Sequence, residues 1–247
     1  MKVHFSIDDV FGSLRWLTRN KCKSDELYKS TTFEFVNSLH EKYDAEVTLY
    51  CLCQDDGFTL RDVPDTWRDE FVRNSDWLKF GFHCNDYDSN YNSCSVEEFK
   101  YQYDEFVNQI IRIAGPDCLS DTLRLHFFSG NEDIRRYLSE KGIKILLCAD
   151  DSRVSYGLSK DINNSVIENW NYIDADMNME YCRTLFRIEK MDDIKVIESY
   201  WEKCNKFEKT FTFFTHEVHI SNDDIKKRIS TVYDLITKKS RREGDKR

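Results

Sequence analysis

Short apolar runs alternate with longer amphipathic stretches along the whole chain. Short apolar runs bounded by polar residues are typical of strands, and longer stretches with apolar residues every three or four positions are typical of helices. The predicted strands are 3–7, 46–53, 78–83, 123–128, 143–149, 181–188 and 210–215. The predicted helices are 25–43, 64–75, 95–114, 131–141, 192–207 and 221–238. This alternation predicts an α/β fold around a largely parallel sheet, and seven strands suit a barrel.

Two stretches depart from this rhythm. Residues 150–180 are polar and rich in Asn without a helical period, which predicts an extra hairpin or loops. The last residues are basic, as is typical of a frayed helix end in solvent. We therefore expect a single domain over residues 1–240 and a basic, disordered tail over residues 241–247.

Composition narrows the class of protein. Apolar residues make up 40% of the 247 residues, with eight Gly and two Pro, so a packed globular domain is expected. The formal charge of -9 disfavours nucleic acid as a partner. No segment approaches the roughly 20 apolar residues that a membrane helix needs, and the first residues lack the apolar stretch of a secretory leader. Together with nine irregularly spaced cysteines, this predicts a cytoplasmic protein with reduced thiols and no integral membrane segment.

Polar side chains follow four of the predicted strands. In parallel α/β barrels the functional groups gather at the carboxyl ends of the strands. The first strand ends in two adjacent carboxylates, which would repel each other if buried without a partner. A bound cation resolves that conflict, and a solvated loop is the alternative. The polar groups at the four ends are Asp8 and Asp9, His83, Arg124 and His126, and His216.

The histidines and the arginine suggest how such a site would work. An imidazole from His83 and a carboxylate form the beginning of a zinc site, although a lone His is also common as a structural residue. Strand alternation predicts that Arg124 and His126 share one face. If that face lines the interior of the barrel, Arg124 needs a carboxylate partner. The alternative is that both side chains face solvent on a distorted edge strand. His216 is suited to giving a proton to a leaving amine.

In this order the motifs resemble those of the polysaccharide deacetylase family, and the likeness spans nearly the whole chain. Residues 6–10 read SIDDV and resemble the family's Thr-Phe-Asp-Asp-Gly. Residues 81–83 read GFH and resemble the first half of His-Ser/Thr-x-x-His. Residues 124–127 read RLHF and resemble Arg-x-Pro-Tyr/Phe, while residues 213–216 read FFTH and resemble Leu-x-x-His.

The resemblance implies a distorted (β/α)7 barrel of the polysaccharide deacetylase type. It also implies a role for each matching residue. Asp8 would be the general base, oriented by Arg124, and His216 would be the general acid. Asp9 and His83 would bind a divalent metal ion, for which zinc is the expected ion.

The third metal ligand is where the sequence departs from the family. Tyr87 stands at the position of the family's second metal histidine, and His126 stands where the motif has proline. Asp86, Asp88 or His126 would each complete a three-ligand site with an open position. The inward-facing argument favours His126.

These residues together predict a metal-dependent hydrolase that removes an acyl group, most simply N-acetyl, from a sugar or a cell-surface polysaccharide precursor. A backbone amide near Ser129 and Gly130 is expected to stabilise the oxyanion, and Asp88 is expected to contact the carbohydrate. An inactive carbohydrate-binding or scaffold protein with the same fold is the alternative. A cysteine-dependent acyl transferase is disfavoured because strand alternation predicts that Cys84 points away from His83.

Overall fold

The structure, a computed structural model, describes residues 2–191 and 193–244. Strands form at most of the short apolar runs. The strands are β1 (Val3–Val10), β2 (Val47–Leu52), β3 (Gln54–Asp55), β4 (Phe58–Thr59), β5 (Leu78–Cys84), β6 (Thr122–Leu123), β7 (Ile145–Cys148), β8 (Asn171–Asp174), β9 (Met179–Arg183), β10 (Phe186–Arg187) and β11 (Phe211–His216). The helices are α1 (Gly12–Arg19), α2 (Thr31–Tyr43), α3 (Arg68–Arg73), α4 (Val96–Ala114), α5 (Glu132–Glu140), α6 (Lys160–Asn169), α7 (Ile194–Lys206) and α8 (Asp223–Gly244).

Two sheets organise the chain. The first contains five parallel strands in the order β10-β11-β1-β2-β5. The second has the order β6-β7-β9-β8, in which only β8 runs antiparallel to its neighbour. Parallel neighbours need a crossover, and helices supply it, as α1 and α2 do between β1 and β2. The predicted α/β fold with a parallel sheet is confirmed.

The closed seven-stranded barrel is not confirmed. Within the described residues, β5 approaches the second sheet through an isolated bridge between Phe80 and Leu119 rather than through a continuous ladder. Strands β9 and β10, predicted as one strand over 181–188, belong to different sheets. The small β3-β4 hairpin stands apart from both sheets.

The central strands of the first sheet lie in the core. Every residue of β2 is buried, and so is every residue of β11 except His216 at its end. Strands buried on both faces read as continuous apolar runs, which explains why these were found from the sequence. No helix of the described residues is both long and apolar enough to cross a membrane.

Three regions differ from the prediction. The prediction of a strand over 123–128 is wrong. Strand β6 covers two residues, and a 3-10 turn, His126–Phe128, follows it. Region 150–180 contributes the predicted hairpin, from β8 and the start of β9, but also the helix α6. Helix α8 extends to Gly244, into the predicted tail. Residues 245–247 of that tail lie outside the described residues. Residue 192, at the start of a predicted helix, also lies outside them.

Candidate active site

The carboxyl ends of neighbouring strands bring four predicted site residues to one edge of the first sheet. They are Asp8, Asp9, His83 and His216. In the parallel ladder of β1 and β11, Asp8 is directly paired with His216. Strand β5, which ends with His83 and Cys84, lies on the other side of β2. The edge-of-sheet rule therefore places these side chains near one another.

Asp8 and Arg124 form a buried ion pair. The two side chains are 2% and 1% exposed, and Arg124 Nη1 lies 2.8 Å from Asp8 Oδ1. The same guanidinium donates to Ser6 Oγ at 2.7 Å and to Thr184 Oγ1 at 3.2 Å. Its carbon lies 4.1 Å from the centre of the Phe214 ring. These contacts hold the Asp8 carboxylate in one orientation.

Asp9, His83 and His126 bring three potential metal ligands together. Asp9 Oδ1 lies 3.3 Å from His83 Nε2 and 3.7 Å from His126 Nδ1, and the two nitrogens are 3.2 Å apart. Ligands about 2.0–2.1 Å from a tetrahedral zinc ion are separated by about 3.3–3.4 Å. Asp9 Oδ1 is also buried without a hydrogen-bond partner, which is rare for a carboxylate. The triad fits a zinc ion with one open coordination position.

The protonation of the two histidines suits metal binding. His83 Nδ1 lies 2.5 Å from the backbone carbonyl of Arg124, which can only accept, so Nδ1 donates and Nε2 presents its lone pair to Asp9. Burial is the main cause that lowers the pKa of His126 to about 4, which keeps that imidazole neutral.

Irregular backbone, rather than strand alternation, aims the triad. Three steps of β1, from Ile7 to Val10, face two steps of β2, and Asp9 has a left-handed φ of 58°. Aspartate tolerates that conformation better than most residues. The bulge turns Asp9 toward His83 while Asp8, next to it, faces Arg124.

A second bulge overturns the expected position of Cys84. The ladder between β2 and β5 jumps from the pair Cys51 and Phe82 to the pair Leu52 and Cys84, so His83 is an extra residue. Alternation predicted that Cys84 points away from His83, and this was wrong. Its Sγ and one ligand nitrogen from each of His83 and His126 all lie within 4.8 Å of one another.

His126 reaches the site by a route the sequence did not predict. It lies at the start of a 3-10 turn, not on a strand, and the next residue, Phe127, has a φ of 56° that no strand allows. The centre of the Phe127 ring is 4.0 Å from that of His126. Arg124 and His126 therefore both face the site, but a turn rather than strand periodicity places them there.

His216 pairs with Glu189, a residue that the sequence analysis missed. His216 Nδ1 contacts Glu189 Oε1, and Thr215 Oγ1 donates to Glu189 Oε2 at 3.0 Å. Burial would lower the pKa of His216, but the Glu189 hydrogen bond and nearby carboxylates raise it above its usual value. Burial would raise the pKa of Glu189, but His216 lowers it. The available signal was a carboxylate directly after the strand predicted over 181–188.

Glu217, the residue after His216, caps a helix. Its carboxylate accepts backbone hydrogen bonds from Phe11 at 2.8 Å, Gly12 at 2.6 Å and Ser13 at 3.0 Å. It also accepts one from Thr32 Oγ1 at 3.1 Å. Amides at a helix start favour an anion, so Glu217 ties the end of β11 to the start of α1.

The predicted substrate-binding residues lie in loops with hydrogen bonds of their own. The Ser129 amide donates to the His126 carbonyl at 3.0 Å, and the Gly130 amide donates to Asn92 Oδ1 at 3.0 Å. Since both amides are engaged inside the protein, neither is free to donate to an oxyanion in this structure. Asp88 is exposed, and its contact with a substrate stays a prediction.

Asp86, another candidate for the third ligand, is committed elsewhere. Its carboxylate accepts hydrogen bonds from Gln54 Nε2, Asn85 Nδ2 and Ser89 Oγ. Those partners lower the pKa of Asp86 although burial would raise it. His126 is therefore the better-placed third ligand.

A cleft of about 460 Å³ opens beside Asp9. Trp16 and Tyr87 are about half exposed there. Burial, with the charges of Asp9 and other carboxylates, raises the pKa of Tyr87 to about 12, so its phenol stays protonated at neutral pH. The lining includes Asp9, Gly12, Arg15, Trp16, Tyr87, Glu217 and Val218.

Comparison with known proteins does not assign the chain to a family. No protein-family profile matches it, and no curated protein matches it. Among solved structures, it is similar to a CE4 family pseudoenzyme from Bacillus anthracis, with a TM-score of 0.40, 9% identity, and coverage of 95% of this chain and 61% of that one. It is also similar to a mutant CE4 family pseudoenzyme with restored enzymatic activity, with a TM-score of 0.39, 10% identity, and coverage of 95% and 63%. The chain thus spans less than two thirds of either structure, and similarity at this level supports no conclusion about its activity.

Proposed function

We propose that this protein is a metal-dependent hydrolase that removes an acyl group, most simply N-acetyl, from a carbohydrate. The observation that carries the proposal is the spacing of the Asp9, His83 and His126 ligand atoms, whose separations of 3.3, 3.7 and 3.2 Å are close to the edges of a zinc tetrahedron. A buried Asp–Arg pair and a Glu–His pair adjoin them, as a general base and a general acid would. When bound, a zinc ion would polarise the acyl carbonyl and acidify a water molecule.

Asp8 is proposed as the general base. Arg124 engages its Oδ1 at 2.8 Å, which leaves Oδ2 to accept the proton of the attacking water. The additional bonds from Arg124 to Ser6 and Thr184 keep the guanidinium fixed while that proton is transferred. Fixed groups are effective because they need no reorganisation during the reaction.

His216 is proposed as the general acid. Its Nδ1 faces Glu189, so Nε2 is the nitrogen available to give a proton to the departing amine. The raised pKa of His216, in which the Glu189 hydrogen bond outweighs burial, keeps more of the imidazolium form near neutral pH. Glu189 is therefore a positioning residue that sets the ring orientation and stabilises the charged form.

A carbohydrate substrate is supported by the cleft beside the triad. Trp16 and Tyr87 present aromatic rings to solvent there, and such rings combine an apolar face with a polar group. Pockets of this kind use a few polar groups to orient a ligand. The protonated Tyr87 phenol supplies one donor.

The alternative function is an inactive carbohydrate-binding or scaffold protein. The observation that favours it is the 3.2 Å contact between His126 Nδ1 and His83 Nε2, because two imidazoles that bond to each other are satisfied without a metal ion. The two proposals differ in whether the triad binds an ion.

Metal content decides between these proposals. Gently purified wild type, Asp9→Asn and His126→Gln proteins are analysed by elemental mass spectrometry, with Cys84→Ser as the matched control. We expect near-stoichiometric zinc in the wild type and in Cys84→Ser, and loss in the other two. Loss in Cys84→Ser with retention in His126→Gln would make Cys84 the third ligand, which its position near both imidazoles allows.

Activity is then tested by acetate release from N-acetylated sugars with the metal-loaded protein. Asp8→Asn should bind the ion but release no acetate, because the base is removed and the triad is kept. Because Arg124 loses its charged partner in this variant, circular dichroism must first show that the variant is folded under the assay conditions. Absence of zinc from the wild type, together with failure to bind added zinc, cobalt or nickel, would support the inactive alternative.

A further inference from the structure

A second cluster of possible ligands lies beside the proposed site. Ligand atoms of Glu189, His216 and His219 all lie within 4.8 Å of one another. Glu189 comes from the 3-10 turn after β10, and His216 ends β11. His219 ends the next 3-10 turn, and its Nε2 is 3.9 Å from Glu189 Oε1. The same carboxylate oxygen thus faces both imidazoles.

The donor set and its accessibility suit a transition-metal ion. Two imidazoles and a carboxylate are ligands that zinc, cobalt and nickel accept. The side chains of Glu189 and His216 are 14% and 23% exposed, and that of His219 is 43% exposed, so an ion can reach them from solvent.

The geometry indicates weaker binding than in the triad of Asp9, His83 and His126. The 3.9 Å separation of His219 and Glu189 exceeds the separation of about 3.3–3.4 Å between zinc ligands. The direct contact between His216 and Glu189 must also open to admit an ion. His219, the most exposed of the three, must move inward to close the site.

We infer that Glu189, His216 and His219 form a second, weaker site for a divalent transition-metal ion, and that filling it inhibits the protein. The ion takes the lone pair of His216 Nδ1, and the proton held between His216 and Glu189 is released to solvent. The pair can then no longer hold the imidazolium that donates to the leaving amine. The binding part stands on the cluster alone; the inhibitory part rests on the proposed function.

Zinc titration of the metal-free protein tests the site without any activity measurement. Isothermal titration calorimetry should show a tight and a weak class of zinc binding in the wild type. His219→Gln should weaken the second class by at least about tenfold, since losing a ligand costs at least as much affinity as losing an outer-shell partner. The first class should be unchanged, because His219 is not a ligand of the first site. His126→Gln, which removes a neutral ligand of the first site, should do the reverse. His40→Gln, which removes a histidine stacked on Trp77 away from both clusters, should change neither class.

Activity measurements then test the inhibitory part. In the wild type, acetate release should be much slower at excess zinc than at stoichiometric zinc. In His219→Gln, the two rates should be nearly equal. A single binding class in the wild type, or a second class that survives in His219→Gln, would overturn the site. An inactive protein that still shows both classes would refute the hydrolase proposal and leave the second site standing.

Discussion

Replacing Arg124 by methionine isolates the contribution of a buried charge, because methionine preserves most of the apolar stem and removes the guanidinium. Arg124 is 1% exposed, and Asp8 is 2% exposed. In the wild type the guanidinium donates to Asp8, to Ser6 and to Thr184. After the substitution, the Asp8 carboxylate remains buried with no cation beside it at this position.

The expected loss follows from that uncompensated charge. Removing one partner of a buried ion pair lowers the free energy of unfolding by about 3–5 kcal/mol. The double variant Asp8→Asn, Arg124→Met removes both charges, so it should be more stable than Arg124→Met alone. The two substitutions should therefore be strongly non-additive, as expected for residues in direct contact.

Urea unfolding at neutral pH, followed by circular dichroism, measures this effect. With an m-value of about 3 kcal/mol per molar urea, the midpoint should fall by about 1–2 M. The matched control is Arg136→Met, which breaks a 3.0 Å pair with Glu132 whose side chains are both exposed. That control should change the free energy of unfolding by less than about 1 kcal/mol.

Two outcomes would refute this reasoning. One is a loss in Arg124→Met no greater than that in the exposed control. The other is a double variant whose loss equals the sum of the two single losses, because this would mean that Asp8 and Arg124 do not stabilise each other.

Three further substitutions test other parts of the structure. Burial would lower the pKa of His216, but Glu189 raises it. Burial would raise the pKa of Glu189, but His216 lowers it. This pair therefore stabilises the fold most between about pH 4.5 and pH 6.5. The difference in unfolding free energy between the wild type and Glu189→Gln should be largest in this pH range. It should shrink as the pH rises through the raised pKa of His216 or falls through the lowered pKa of Glu189. A difference independent of pH would contradict this. Glu217→Gln turns an NH2 group toward the amides at the start of α1 and should lower the free energy of unfolding by about 1–3 kcal/mol, whereas an unchanged urea midpoint would mean that the cap contributes nothing. Gly81→Ala would place its Cβ 2.6 Å from the Tyr50 ring and should destabilise by about 1–3 kcal/mol through overpacking; thermal unfolding at the wild-type temperature would show that the ring can move aside.

The sheet was largely predictable because its signal is local. Strands β1, β2, β5 and β11 are apolar runs bounded by polar residues, and such runs mark buried parallel strands wherever they occur. The strand-end rule also located Asp8, Asp9, His83 and His216, because parallel neighbours end at the same edge.

The remaining elements depend on local backbone geometry that a pattern of residue types does not encode. The 3-10 turn at His126 occupies residues whose apolar character predicts a strand. Helix α1 begins without a side-chain cap of its own, and the distant Glu217 supplies the anion. The bulge at His83 reverses the alternation that governs Cys84.

The sequence by itself determined the α/β class, the main strands and the identity of the ionisable residues at their ends, since each depends on periodicity over a few neighbouring positions. Only the tertiary structure decided which of those residues meet. Arg124 reaches Asp8 across 116 positions, and His216 meets Glu189 across 27. Packing of the whole chain sets such contacts, because burial makes an uncompensated charge costly and so selects the arrangement in which each charge finds its partner.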